Sequence, residues 1–215
     1  SVAVCRSGAR LPRWKRALDL LSTDPIFRDA NLDRLTTQES ARESTNLPTR
    51  LFERLSSGHK IVLLTMTRLV ETIEERTLVL IDEPEAHLHP PLLSAFIRSL
   101  SDLLVNRNGA ALVATHSPVV LQEVPSDCVW KVRRSGLYVV AERPEIETFG
   151  ENVGVLTREV FGLEVTDAGF HQLLRQALAS SESFAAAVAK FEGKLGGEAR
   201  ALLHALLSNQ PRDQS

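Results

Sequence analysis

The sequence predicts an α/β fold with parallel core strands, an edge β-hairpin and a C-terminal helical segment. Three observations predict it. Thr77 to Ile81 is an unbroken apolar run that ends in paired acids, Asp82-Glu83. Ala110 to Thr115 is a second such run and ends in His116-Ser117-Pro118. Between them Leu92, Leu93, Phe96, Ile97, Leu100, Leu103 and Leu104 recur at helical spacing. Strand, helix and strand within about forty residues make a parallel βαβ unit with a right-handed crossover. Both strands read as buried on both faces, and both deliver their C-terminal residues to one sheet edge. Ligands of open α/β sheets sit at that edge, where Asp82 could hold a phosphate-bound Mg²⁺ and Glu83 could polarise water.

The elements follow in chain order. Leu11, Trp14, Ala17, Leu18 and Leu21 mark one amphipathic helix, which Asp24-Pro25 breaks. Polar and charged residues dominate from Arg28 to Arg54, and Thr36 to Asn46 reads as a solvated loop or helix face without chemistry. Leu55-Ser56-Ser57-Gly58-His59-Lys60 then opens a mostly apolar helix through Ile61, Val62, Met66, Leu69, Val70 and Ile73. Its free N–H groups offer an anion site, although Ser56 or Ser57 could serve only as an N-cap. Pro90-Pro91 starts the crossover helix and Asn108-Gly109 stops it. Cys128 to Arg133 and Leu137 to Glu142 flank Arg134-Ser135-Gly136 as the hairpin. A short helix is expected between Glu145 and Gly162, and two or three helices from Ala168 onward.

Composition narrows the function classes. With 25 basic and 27 acidic residues the net charge is -2, which argues against binding nucleic acid by bulk charge and leaves DNA contact through a local patch open. Cys5 and Cys128 form no CxxC pair, which suggests a reducing compartment. No run reaches the roughly 18 apolar residues of a membrane span, so a cytoplasmic protein with no membrane partner is expected. The first residues, Ser1-Val2, lack a methionine, and the chain is expected to be part of a longer product or a processed form.

Three motifs in this order resemble ABC-type ATPases. Leu55 to Lys60 looks like the signature loop, Leu78 to Glu83 like the Walker B strand, and Thr115 to Pro118 like the switch-histidine segment. The wording Asp82-Glu83-Pro84-Glu85-Ala86-His87-Leu88-His89-Pro90 resembles the OLD-type and RecF-like branch of AAA-type prokaryotic ATPases rather than transporter subunits. The resemblance implies ATP and Mg²⁺ as cofactors. It implies Asp82 as the Mg²⁺ residue acting through water, Glu83 as general base and His116 as γ-phosphate sensor. It further implies that Ser56, Ser57, Gly58 and His59 face nucleotide held by a second protomer in a head-to-tail dimer, and that Glu85, His87 and His89 lie in the loop crossing that interface. Ser57 stands where glycine is commonest and His59 where Gln or Glu is commonest. A separate metal site from Glu85, His87 and His89 is disfavoured, because the interface loop accounts for them.

One part is missing from the sequence. ATPases of this type hold phosphates with a Gly-x-x-x-x-Gly-Lys-Ser/Thr loop, and the only Gly-Lys pair, Gly193-Lys194, is followed by Leu195 and preceded at the required glycine position by Val188. The expected organisation is therefore the C-terminal lobe of a nucleotide-binding domain, inactive alone and completed by an upstream Walker A segment. Its parts are a helical or insert region at 1–54, the ATPase half at 55–143, a helical region at 144–208 and a disordered tail at 209–215. The C-terminal region faintly resembles ATPase components of Septu- and retron-type phage defence, which implies DNA repair or phage defence as context and an HNH nuclease as partner. The alternative is a non-hydrolysing half-domain that serves as scaffold or dimerisation module.

Overall fold

A computed structural model describes Cys5 and residues 8–36, 47–162, 169–181 and 183–208. The chain forms two compact units, Ser1–Val153 and Gly154–Ser215. The expectations for 37–46 and for the tail at 209–215 lie outside the described residues.

In the first unit, helix α1 (Arg10–Leu21) buries Trp14, Ala17, Leu18 and Leu21, the stripe that its spacing predicts. Asp24 ends the connection, because its side chain caps α2 (Pro25–Ala30) and Pro25 is fit for a first helical turn. A 3-10 turn (Leu32–Leu35), helix α3 (Leu47–Arg54) and helix α4 (Ser57–Thr72) follow. Helix α5 (Pro90–Val105) connects strand β1 (Leu78–Asp82) to β2 (Ala110–Ala114), and a short helix α6 (Pro118–Leu121) comes after β2. One continuous core runs from Cys5 and Trp14 through Met66 and Val70 of α4 to Leu92, Phe96 and Leu100 of α5. Two buried polar links cross it: Trp14 Nε1 donates to Thr67 Oγ1 at 3.2 Å, and Ser99 Oγ donates to the Ala17 carbonyl at 3.2 Å. The helices before residue 54 thus share a core with the helices around the strands.

Strands β1 and β2 pair in parallel, with Leu78 beside Ala110 and Asp82 beside Ala114. The expectation that they are buried on both faces is not met. Val79, Ile81 and Val113 pack on the helical core, while Leu78, Leu80 and Leu112 on the other face are 63%, 69% and 67% exposed. The reason is layering: helices cover one side of this sheet, and no described element of the first unit covers the other.

The hairpin consists of β3 (Lys131–Ser135) and β4 (Tyr138–Glu142), antiparallel around a two-residue turn. Gly136, at φ 60, supplies the positive φ that such a turn demands. The hairpin starts later than expected, because Ser126–Cys128 is a 3-10 turn. It is also not an edge of the parallel sheet. Among the described strands each pairs with the other alone, forming a second two-stranded sheet.

The second unit holds the expected helices. These are α7 (Val153–Phe161), which opens at the boundary, α8 (Phe170–Ala179), α9 (Phe184–Ala189) and α10 (Gly197–Ser208). Leu174, Leu178, Ala187 and Leu203 form its small core. Among the described residues no helix is long and apolar enough to cross a membrane.

Candidate functional site

Parallel pairing brings the C-terminal ends of β1 and β2 side by side. The Glu83 N–H donates to the Ala114 carbonyl at 2.8 Å and extends the ladder one step past Asp82. Glu83 then turns the chain with φ 46, a left-handed conformation that costs a non-glycine residue roughly 1–3 kcal/mol. Such strain persists where surrounding structure imposes it, and here it falls on the first residue after β1. Asp82 and Glu83 are both exposed. Glu83 Oε1 lies 3.4 Å from His116 Nε2, so the sheet joins the two residues expected to act as base and sensor.

Glu85 secures this arrangement. Its Oε1 accepts from the His116 N–H at 2.6 Å and its Oε2 accepts from Thr115 Oγ1 at 2.9 Å, while Thr115 Oγ1 accepts from the Ser117 N–H at 3.0 Å. The loop after β1 is thereby tied to the loop after β2. Glu85, expected in a loop reaching for another protomer, spends its carboxylate within its own chain.

Ser56 occupies the N-cap position of α4 in extended conformation, and its side chain does not cap the backbone. Ser56 and Ser57 are exposed, while Gly58 and His59 of the same turn are buried. Gly58 is buried against the next loop: a Cβ there would lie 2.7 Å from the His87 carbonyl oxygen. Close approach of two backbones, rather than ligand contact, is what this glycine permits in the free chain. His87 itself is exposed, at φ 69.

His59 departs from expectation. It was predicted to face nucleotide, but its ring is 1% exposed and points into the protein. Its Nδ1 is 2.6 Å from Ser56 Oγ and its Nε2 is 3.0 Å from Asp24 Oδ1, and it contacts the Phe27 ring edge-on at 4.9 Å. Polar partners inside the fold hold it there, since a buried imidazole needs both nitrogens satisfied. His89 is the N-cap of α5, with its Nδ1 accepting from the Leu92 N–H at 3.4 Å and its Nε2 3.7 Å from Asp24 Oδ2.

Asp24 is the residue that sequence reasoning missed. It is 1% exposed, and its Oδ1 accepts from the N–H groups of Ile26 at 3.0 Å and Phe27 at 3.2 Å. The Asp-Pro pair signals a helix cap, but nothing local announces that the same carboxylate meets a histidine 35 residues later.

Residues 8–122 match the family described as "AAA domain, putative AbiEii toxin, Type IV TA system". The chain is similar to Protein ea59 of Escherichia phage lambda, 50% identical over 213 residues that cover 92% of this chain and 41% of that protein. It therefore spans about two-fifths of that relative's length.

Proposed function

The chain belongs to this AAA-domain family, and on that premise we propose that it is the half of an ABC-type ATPase bearing the Walker B acids, the switch histidine and the signature loop. The observation that carries this reading is the 3.4 Å approach of Glu83 to His116 at the carboxyl ends of two parallel strands, with Asp82 beside them. In the proposed reaction Glu83 orients the attacking water and takes its proton, and His116 holds the γ-phosphate by a hydrogen bond. Glu85 keeps the two loops in register. Asp82, an exposed hard-oxygen donor at the strand end, fits Mg²⁺ held through water, which would supply charge neutralisation for the phosphates.

The other half of the site comes from elsewhere. Leu78, Leu80 and Leu112 leave an apolar sheet face in water, and the phosphate-binding loop is not in this sequence. We propose that the segment carrying that loop covers this face, and that Ser56 and Ser57 present their N–H groups to nucleotide bound by a second protomer. ATP-dependent dimerisation would then gate a partner in DNA repair or phage defence, with an HNH-type nuclease as the first partner to test. The phage relative supports that setting, and the Asp82 to Pro90 wording supports an OLD- or RecF-like branch.

The absent phosphate loop favours one further reading, a scaffold that dimerises without hydrolysis. One experiment separates them: ATP binding by the 215-residue chain, with and without Mg²⁺, beside the same chain mixed with a segment carrying the phosphate loop. Binding and hydrolysis only in the mixture support the ATPase. Tight binding by this chain alone overturns the composite site, and binding without hydrolysis in the mixture supports the scaffold.

A further inference from the structure

We propose that Asp24, His59 and His89 form a binding site for one divalent transition-metal ion of the zinc class. The ion would join the start of α4 to the loop after β1. One donor atom from each residue lies within 4.8 Å of the other two. The decisive observation is Asp24 Oδ2, which is buried and has no hydrogen-bond partner. An orphaned buried carboxylate oxygen is costly unless something positive reaches it. His89 Nε2 is the polar atom facing it, and at 3.7 Å it stands too far for a hydrogen bond.

That spacing suits a metal better. Ligands about 2.0–2.2 Å from a tetrahedral ion lie roughly 3.3 Å from one another. The separations of 3.0 Å between Asp24 Oδ1 and His59 Nε2, and 3.7 Å between Asp24 Oδ2 and His89 Nε2, fall on either side of that value. Two imidazole nitrogens with one carboxylate select zinc, cobalt or nickel over Mg²⁺ and Ca²⁺, which prefer all-oxygen shells. His89, whose side chain is 46% exposed, gives access from solvent.

Supporting contacts are already in place. The Ile26 and Phe27 N–H groups fix the carboxylate, and Ser56 Oγ fixes the His59 ring from behind at 2.6 Å. Coordination through Nε2 puts the ring proton of each histidine on Nδ1. His59 Nδ1–H then donates to Ser56 Oγ. His89 releases its 3.4 Å contact with the Leu92 N–H, the longest hydrogen bond of the cluster. A consequence that rests on the ATPase reading follows for Ser56. Without the ion, His59 Nδ1 and Ser56 Oγ share one hydrogen bond, 2.6 Å long, in which either atom can be the donor. With the ion, Ser56 accepts from His59, and its proton is free to donate outward to a phosphate.

The test uses the metal-free 215-residue chain, titrated with Zn²⁺ in competition with a chromophoric chelator, and separately with Co²⁺ while recording its visible absorption. The expected result is one Zn²⁺ per chain with sub-micromolar affinity, undisturbed by millimolar Mg²⁺, and the intense visible bands of four-coordinate Co²⁺. His89→Ala, at a half-exposed position, should keep the fold by circular dichroism and weaken Zn²⁺ binding at least 100-fold. His87→Ala, at the exposed neighbour, should leave it unchanged. No stoichiometric binding by the wild-type chain would overturn the site, and so would equal affinity in His89→Ala. ATP takes no part in this titration, so its failure would leave the ATPase reading standing and the reverse holds as well.

Discussion

His116 Nε2 lies 3.4 Å from Glu83 Oε1, although the two residues sit in the loops after different strands and both side chains are open to solvent, 77% and 58% exposed. A contact so exposed adds little to stability. Its backbone support is considerable by contrast: the Glu83 N–H bonds to Ala114 and the His116 N–H bonds to Glu85. A weak pair on a rigid mount suits groups that must release each other and engage a ligand.

Glu83→Gln removes the proposed base and keeps the side chain's shape. In the ATPase assembled with its phosphate loop, turnover should fall about 10²- to 10⁴-fold while ATP binding persists, as measured by phosphate release and nucleotide titration. Hydrolysis at the wild-type rate would refute the assignment of Glu83.

Gly58→Ala forces a Cβ to 2.7 Å from the His87 carbonyl, a backbone atom that cannot swing aside. A loss of about 1–3 kcal/mol in urea unfolding is expected from this overpacking. Gly196→Ala is the matched control, since nothing lies within 4 Å of its Cβ, and it should change stability by no more than about 0.5 kcal/mol. Equal effects from the two would mean that the close approach of α4 to the loop after β1 is wrong.

Trp14 is fully buried and its indole donates to Thr67. Trp14→Ala should cost about 3–5 kcal/mol. In a Trp130→Phe background, which leaves Trp14 as the sole tryptophan, unfolding should also give coincident transitions by circular dichroism and by fluorescence, because α1 and α4 share one core. A separate early fluorescence transition would show that α1 melts on its own.

The Glu147 carboxylate accepts hydrogen bonds from the N–H groups of Phe149, Ser126 and Thr148, which hold its pKa below the ordinary glutamate value despite some desolvation. A depressed folded-state pKa means stabilisation that is complete above about pH 4.5 and lost as pH falls through the folded value. Glu147→Gln should therefore lower stability at pH 7 and flatten the acid limb of a stability-against-pH curve. An unchanged acid limb would show that this turn makes no contribution.

Much of the architecture could be read from the amino-acid order, because it depends on local physics. Helical spacing from Trp14 to Leu21 and from Leu92 to Leu104 sets which stripe is buried, and Asp24-Pro25 and Pro90-Pro91 mark helix starts whatever the fold around them. Two apolar runs separated by one helix pair in parallel, and that pairing alone puts Asp82, Glu83 and His116 at one edge. The hairpin's existence was legible from Gly136 between two strand-like runs, but its place was not, since strand pairing depends on which edges meet.

What only the tertiary structure decided concerns residues that are far apart in the chain or that lie on a surface's second side. An apolar strand such as Leu78 to Ile81 is written for cover on both faces, yet its sequence cannot say whether the second cover lies within the same chain, and here Leu80 stands 69% exposed. The tetrapeptide Ser56 to His59 reads as ligand-facing, but packing of α4 against α2 turned His59 inward to Asp24, and the crowding at Gly58 brought the His89 loop to the same carboxylate. Caps, turns and helix stripes are settled by neighbours within a few residues. The meeting of Asp24, His59 and His89 needs three segments to be held together by one core, and no local pattern encodes that distance.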